Sequence, residues 1–232
     1  MGRLLVGARA DLHVTGIDSA KIPPVAHRQL AVLSRTAMES MPFLEGRFGA
    51  AVSQFGYEYS QTVEAAREIA RVLAPGARLS FLVHHADSAI VAATRARLKV
   101  IGGFLGPTMR AAFCSGDAAG FGYLLSSLVE SHPHDTLIAQ LARALPSRLS
   151  SPQGKRTEIW TAIEGALAPE RCVSESLNDC CVAPSQLDEW LGPLGSVCEL
   201  MPVSVLREPS GDPIAWRIEG VSAATQAGAP AS

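Results

Sequence analysis

Short apolar runs separated by polar links dominate the first third of the chain. Residues 12–18 (LHVTGID) are apolar and β-branched and close on an acid, which predicts a buried strand ending at Asp18. Ile22-Pro23-Pro24 excludes a long helix directly behind it, because proline lacks an N–H and restricts its predecessor. Residues 29–34 (QLAVLS) and 48–55 (FGAAVSQF) predict a second and a third strand. The period then changes. Over 62–73, Val63, Ala66, Ile69, Ala70 and Leu73 share one helical stripe, and Ala74-Pro75-Gly76 ends it. Residues 78–85 (RLSFLVHH) predict a fourth strand. Continuous apolar strands around a helix predict an α/β fold with a parallel sheet covered on both faces. In such sheets ligands sit beyond the carboxyl ends of the strands. Asp18, Ser53, Gln54, Phe55, His84 and His85 all fall on that edge.

From about residue 87 to 185 the strand signal is absent and helical patterns follow one another, notably in SAIVAATRARLKVIGGFL, AAGFGYLLSSLVES, DTLIAQLARAL and RTEIWTAIEGAL. An insertion of this size after the fourth strand is expected to act as a cap over the ligand edge. Residues 197–206 and 213–221 predict two closing strands, joined as an antiparallel hairpin through REPSGD. The expected organisation is a single domain over 1–220, carrying the insertion, and a disordered tail over 221–232.

Composition narrows the function classes. With 47% hydrophobic and 18% charged residues and a formal net charge of −2, nothing recruits nucleic acid or an anionic membrane. No apolar run approaches the roughly 20 residues of a membrane span, and a secretory signal is not expected, because Arg3 is followed by no apolar core with a small-residue cleavage site. Five cysteines without a CxxC pair fit reduced thiols in a cytoplasmic protein. Arginine well above lysine, with abundant alanine, suits a GC-rich bacterial genome.

Three stretches together resemble a known family. Ala37-Met38-Glu39-Ser40-Met41-Pro42-Phe43, then residues 48–53, then Arg71-Val72-Leu73-Ala74-Pro75-Gly76-Ala77 stand at the spacing of class I S-adenosylmethionine-dependent methyltransferases of the type 11 kind. The resemblance covers about 2–85 and 186–220. It implies a Rossmann-like, doubly wound, mostly parallel sheet with a C-terminal antiparallel hairpin, S-adenosyl-L-methionine as cofactor, and methyl transfer to a small-molecule acceptor. By the same resemblance Asp18 takes the ribose hydroxyls, and Ala37, Met38 and Glu39 match the segment that meets the adenine through the Met38 N–H. Ala37 stands where the family usually has an acid. Ser53 and Gln54 match the turn along the methionine moiety, and Gly2 matches the last glycine of a glycine-rich turn.

The family's first strand and the rest of that turn have no counterpart in this sequence. Three explanations stand: a start assigned too late, so that the chain is a fragment; a gap filled by another segment, such as Arg3 to Ala8 as a makeshift strand; or a non-catalytic relative that binds cofactor weakly or not at all. The first is preferred. A nicotinamide oxidoreductase is the weakest reading, since the chain has no G-x-G-x-x-G. A homodimer is carried as an expected assembly.

The remaining candidates each have a plainer reading. Asp18 could cap the backbone that follows its strand. His84 or His85 could serve as a general base, or could hold backbone at a strand end. Phe55, Tyr57 and Tyr59 could line a substrate pocket or belong to the core. His132-Pro133-His134-Asp135 does not complete a metal site, and Asp135 is expected to cap the next helix.

Overall fold

The computed structural model describes residues 1–223. It divides into two compact units, Met1–Ala89 with the chain from Cys180 onward, and Ile90–Asp179.

The first unit opens with helix α1 (Gly2–Ala8), so the stretch weighed as a makeshift strand is helical, with the Leu5 N–H on the Met1 carbonyl and the Arg9 N–H on the Leu5 carbonyl. Strands β1 (Val14–Asp18) and β2 (Leu30–Ser34) pair in parallel, Asp18 opposite Ser34. Strand β3 (Phe48–Gln54), a 3-10 turn (Tyr57–Tyr59), helix α2 (Thr62–Val72) and strand β4 (Leu73–His84) follow. β3 and β4 are parallel, with Gln54 opposite Leu82. Helix α8 (Leu187–Gly195) and strands β5 (Cys198–Leu200), β6 (Ser204–Arg207) and β7 (Pro213–Ser222) complete the unit. β7 runs antiparallel to β4 and pairs with both β5 and β6. The α/β class, the parallel core strands and the antiparallel β6–β7 hairpin agree with the sequence pattern. β7 reaches Ser222, past the expected boundary at 220, and residues 224–232 of the expected tail lie outside the described residues.

The sheet itself departs from expectation. β1 and β2 form one sheet, and β3, β4, β7, β5 and β6 form a second. Among the described residues β1 pairs only with β2, and β3 pairs only with β4. Among the described residues no strand stands on the outer side of β3, and its Val52 is 47% exposed.

Helix α2 connects β3 to β4 and braces the segment that precedes β3. Its buried stripe is Ala65, Ala66, Ile69 and Val72. Gly76, at φ +74°, takes the left-handed turn that a side chain would resist. The segment after β2 is strapped along this helix. Glu39 Oε1 accepts from the Gln61 N–H at 2.7 Å, Glu68 Oε1 accepts from the Met41 N–H at 2.7 Å, and Arg71 donates to the Met41 and Phe43 carbonyls. The core beneath α2 and α8 contains Tyr57, Ile69, Leu79, Phe81, Val83, Leu194 and Ile218.

The second unit is helical: α3 (Ala89–Phe104), α4 (Pro107–Ser115), α5 (Ala118–Ser131), α6 (Thr136–Ala144) and α7 (Gln153–Cys180). Phe104, Phe113, Phe121 and Trp160 are its fully buried aromatics. Helix α4 was not anticipated, and α7 runs through Pro169 well beyond the predicted 156–167 because Leu167, Ser174 and Leu177 are buried on both sides of the proline. Among the described residues no helix is long and apolar enough to cross a membrane.

Asp135 caps α6 by accepting from the Ile138 N–H at 3.0 Å, and Arg97 grips the same carboxylate through two bonds of 2.9 Å. Burial alone would push this carboxyl upward, but the Ile138 N–H and Arg97 outweigh it and hold it below its ordinary value. A depressed folded-state pKa contributes stability that is complete above the unfolded value and is lost as pH falls through the folded one. Denaturant midpoints of the wild type should therefore fall as the pH drops through and below the ordinary carboxylate range, and Arg97→Met should shrink that fall.

Candidate functional site

The carboxyl ends of the parallel strands carry the sequence candidates, and the chain leaves two of them in an unusual conformation. Arg35 follows β2 at φ +56°, and Phe55 follows β3 at φ +57°. Both are left-handed without being glycine, a conformation that surroundings must enforce. At Phe55 the enforcement is visible. Ser53 Oγ accepts from the Tyr57 N–H at 3.0 Å, and the Phe55 N–H donates to the Leu82 carbonyl at 2.8 Å. The turn presses the Phe55 ring onto His84, with centroids 4.2 Å apart and planes 28° apart.

His84 closes β4 and is buried. Its Nδ1 stands 2.7 Å from Glu58 Oε1, and its backbone N–H donates to the same oxygen at 3.1 Å. Glu58 Oε2 is buried and has no hydrogen-bond partner. Tyr59 meets His84 edge-on at 6.4 Å, and its hydroxyl is hydrogen-bonded with the Cys180 thiol. Burial pushes the Cys180 thiol up to about 11 and raises the Tyr59 hydroxyl as well, so both keep their protons at neutral pH.

The two histidines differ in kind. His85 Nδ1 accepts from the Asp87 N–H at 3.1 Å, and its ring stacks on Trp216 at 4.4 Å. Its backbone bridges to Val182, and burial lowers its pKa despite Asp87 nearby. These contacts make it a strand-end fastener. Tyr57 also leaves the candidate list. It is fully buried, donates to the Thr62 carbonyl and packs on Phe81 and Trp190, because its place in the 3-10 turn points it into the core. The site therefore gathers Phe55, Tyr59 and His84 from the predicted set. Glu58 was not foreseen; its signal was an isolated acid inside the aromatic stretch between Phe55 and Tyr59.

The residues expected to hold a cofactor lie on β1, β2 and β3. Asp18 is exposed, and its Oδ1 accepts from the Ala20 N–H at 2.8 Å, a local turn bond and not a helix cap, since no helix follows β1. Met38 packs against the core, and the Glu39 carboxylate is engaged with Gln61. Gln54 is exposed at the end of β3. Gly2 is helical, and a Cβ there would stand 2.7 Å from the Leu30 side chain, so it serves packing and forms no turn. The nucleoside end of an S-adenosyl cofactor would meet a solvent-facing carboxylate at a strand end with exposed loop residues beside it, a donor set that suits it. Among the described residues nothing forms a glycine-rich turn for the amino-acid end.

Parallel strands with a carboxylate at the end of the first and an imidazole at the end of the fourth give this unit the α/β arrangement that the sequence predicts. Residues 3–81 match a family model described as a methyltransferase domain, a segment running from α1 through most of β4. That part of the chain is similar to a methyltransferase domain. No curated protein sequence matches the chain.

Solved structures resemble it only distantly. A complex of the Haloferax volcanii Trm112 methyltransferase activator with a methyltransferase matches at 20% identity and TM-score 0.32, over 36% of this chain. The chain spans 39% of that protein's length. A 16S rRNA (adenine(1408)-N(1))-methyltransferase from Catenulisporales acidiphilia matches at 11% identity and TM-score 0.46, over 97% of this chain and 81% of its own. A SAM-dependent methyltransferase from Methanosarcina mazei matches at 14% identity and TM-score 0.39, over 91% and 82%.

Proposed function

We propose that this chain carries out S-adenosylmethionine-dependent methyl transfer to a small-molecule acceptor. The observation that supports the reading is the methyltransferase-domain match over 3–81, a segment that contains Asp18 at the end of β1, Met38 in the loop after β2 and Ser53 near the end of β3. Asp18 would accept from the ribose hydroxyls through its carboxylate, the loop at Ala37 and Met38 would flank the adenine, and Ser53 and Gln54 would border the amino-acid end. The bound cofactor would supply an electrophilic methyl group. The chain's contribution would be alignment of the acceptor and removal of its proton. A formal net charge of −2 supports a small acceptor over a nucleic acid.

A second reading has one observation in its favour. β1 and β3 each present an unpaired edge among the described residues, which supports a chain that binds cofactor weakly or not at all and does not catalyse. Isothermal titration with S-adenosylhomocysteine separates the two. Micromolar binding, weakened roughly ten- to a hundredfold by Asp18→Ala, is the expected result, because a charge-assisted hydrogen bond contributes about 1.5–3 kcal/mol. A folded protein that binds nothing would leave the second reading standing.

A further inference from the structure

We infer that Glu58 and His84 form a proton-accepting pair, with His84 Nε2 as the base that deprotonates a neutral hydroxyl acceptor and Glu58 as the residue that positions it. This rests on the methyl-transfer reading and deepens it. A carboxylate only accepts, so the 2.7 Å contact assigns the ring proton to Nδ1 and leaves the Nε2 lone pair available. The Glu58 side chain is 0% exposed and that of His84 8%.

A purely structural pin is poorly served by this arrangement. One carboxylate oxygen takes both bonds while the other is buried without a partner, and a half-satisfied buried carboxylate is costly. What the arrangement does supply is a carboxylate that holds the ring in one orientation while Nε2 takes a proton from the acceptor. The other titratable groups facing the pair do not compete. Cys180 and Tyr59 stay protonated at neutral pH, and Asp87 faces His85 instead. Phe55, fixed on one face of the imidazole, and Tyr59 at its edge make an aromatic surround suited to a hydroxyl on an aromatic or apolar frame. As the acceptor oxygen forms its bond to the methyl carbon, the carbon–sulfur pair returns to sulfur and the hydroxyl proton passes to Nε2.

The test uses the full chain without cofactor. Ring-nitrogen NMR at neutral pH reads the tautomer, and turnover of para-nitrophenyl acetate reads whether Nε2 is chemically competent. The expected result is a His84 ring protonated on Nδ1, and ester turnover reduced about tenfold or more in His84→Asn. The isosteric Glu58→Gln, folded by its circular dichroism, should lower turnover while keeping the tautomer, and Glu58→Ala should release the tautomer. A proton on Nε2 in the wild type, or turnover unchanged in both His84→Asn and Glu58→Gln, overturns the proposal. S-adenosylhomocysteine titration of the same samples keeps the two readings apart. Binding with His84-independent turnover overturns only the base. His84-dependent turnover without binding overturns only the methyl transfer.

Discussion

Trp160→Ala is expected to remove about 3–5 kcal/mol from the stability of the helical unit, a large share of the 5–15 kcal/mol typical of a folded domain. Trp160 is fully buried, stacked on Phe104 at 5.2 Å with planes 20° apart, and lies 5.6 Å from Phe113. Phe113 in turn packs on Phe121, so rings from α3, α4, α5 and α7 meet at one place. Truncation would open a cavity that rigid aromatic neighbours fill poorly. The polar part of the loss is small. The indole N–H donates to Glu164 at 2.8 Å, but that carboxylate is partly exposed and also faces Arg110 at 3.7 Å. Trp160→Phe should therefore recover most of the stability. Urea denaturation followed by circular dichroism is the measurement, and a Trp160→Ala loss under about 1 kcal/mol would contradict the aromatic centre described for this unit.

Arg156→Met should cost about 3 kcal/mol by a different route. The guanidinium is nearly buried, yet its partners are carbonyls: Cys114 at 3.1 Å, Leu149 at 3.2 Å, and Ser151. It closes the end of α4 beneath Gly116, where a Cβ would stand 2.8 Å from the guanidinium. Methionine keeps the apolar stem but leaves those carbonyls without their donor. Lysine should restore less than half of the loss, because a compact ammonium cannot span partners that a planar fork reaches. With uncharged partners, the cost should also be insensitive to salt, unlike that of a surface ion pair. Denaturant midpoints at low and high ionic strength test both points.

The sequence was most informative where local chemistry and packing agree. The stripe of α2 with Gly76 behind it, the Asp135 cap and the turn before β7 all follow from rules acting over a few residues. Legibility fell where a local rule met a tertiary demand. Pro107 reads as a link but stands at the first position of α4, where a missing N–H costs nothing. Pro169 reads as a stop but sits inside α7, held by buried residues on either side. The site was half legible. His84 stood at a strand end, but its partner lies 26 positions earlier, and no periodicity predicts a buried acid. Tyr57 and Tyr59 look alike in sequence, and only the 3-10 turn sends one into the core and the other toward the imidazole.

The left-handed Phe55 has an implication for how this protein could be improved. Glycine at this position would relax a left-handed backbone strain of order 1 kcal/mol. Here that gain would come with the loss of the ring that covers one face of His84. Under the role proposed for His84, selection for robustness and selection for turnover pull in opposite directions at this single residue, and a stabilised version of the protein should be built around Phe55 rather than through it.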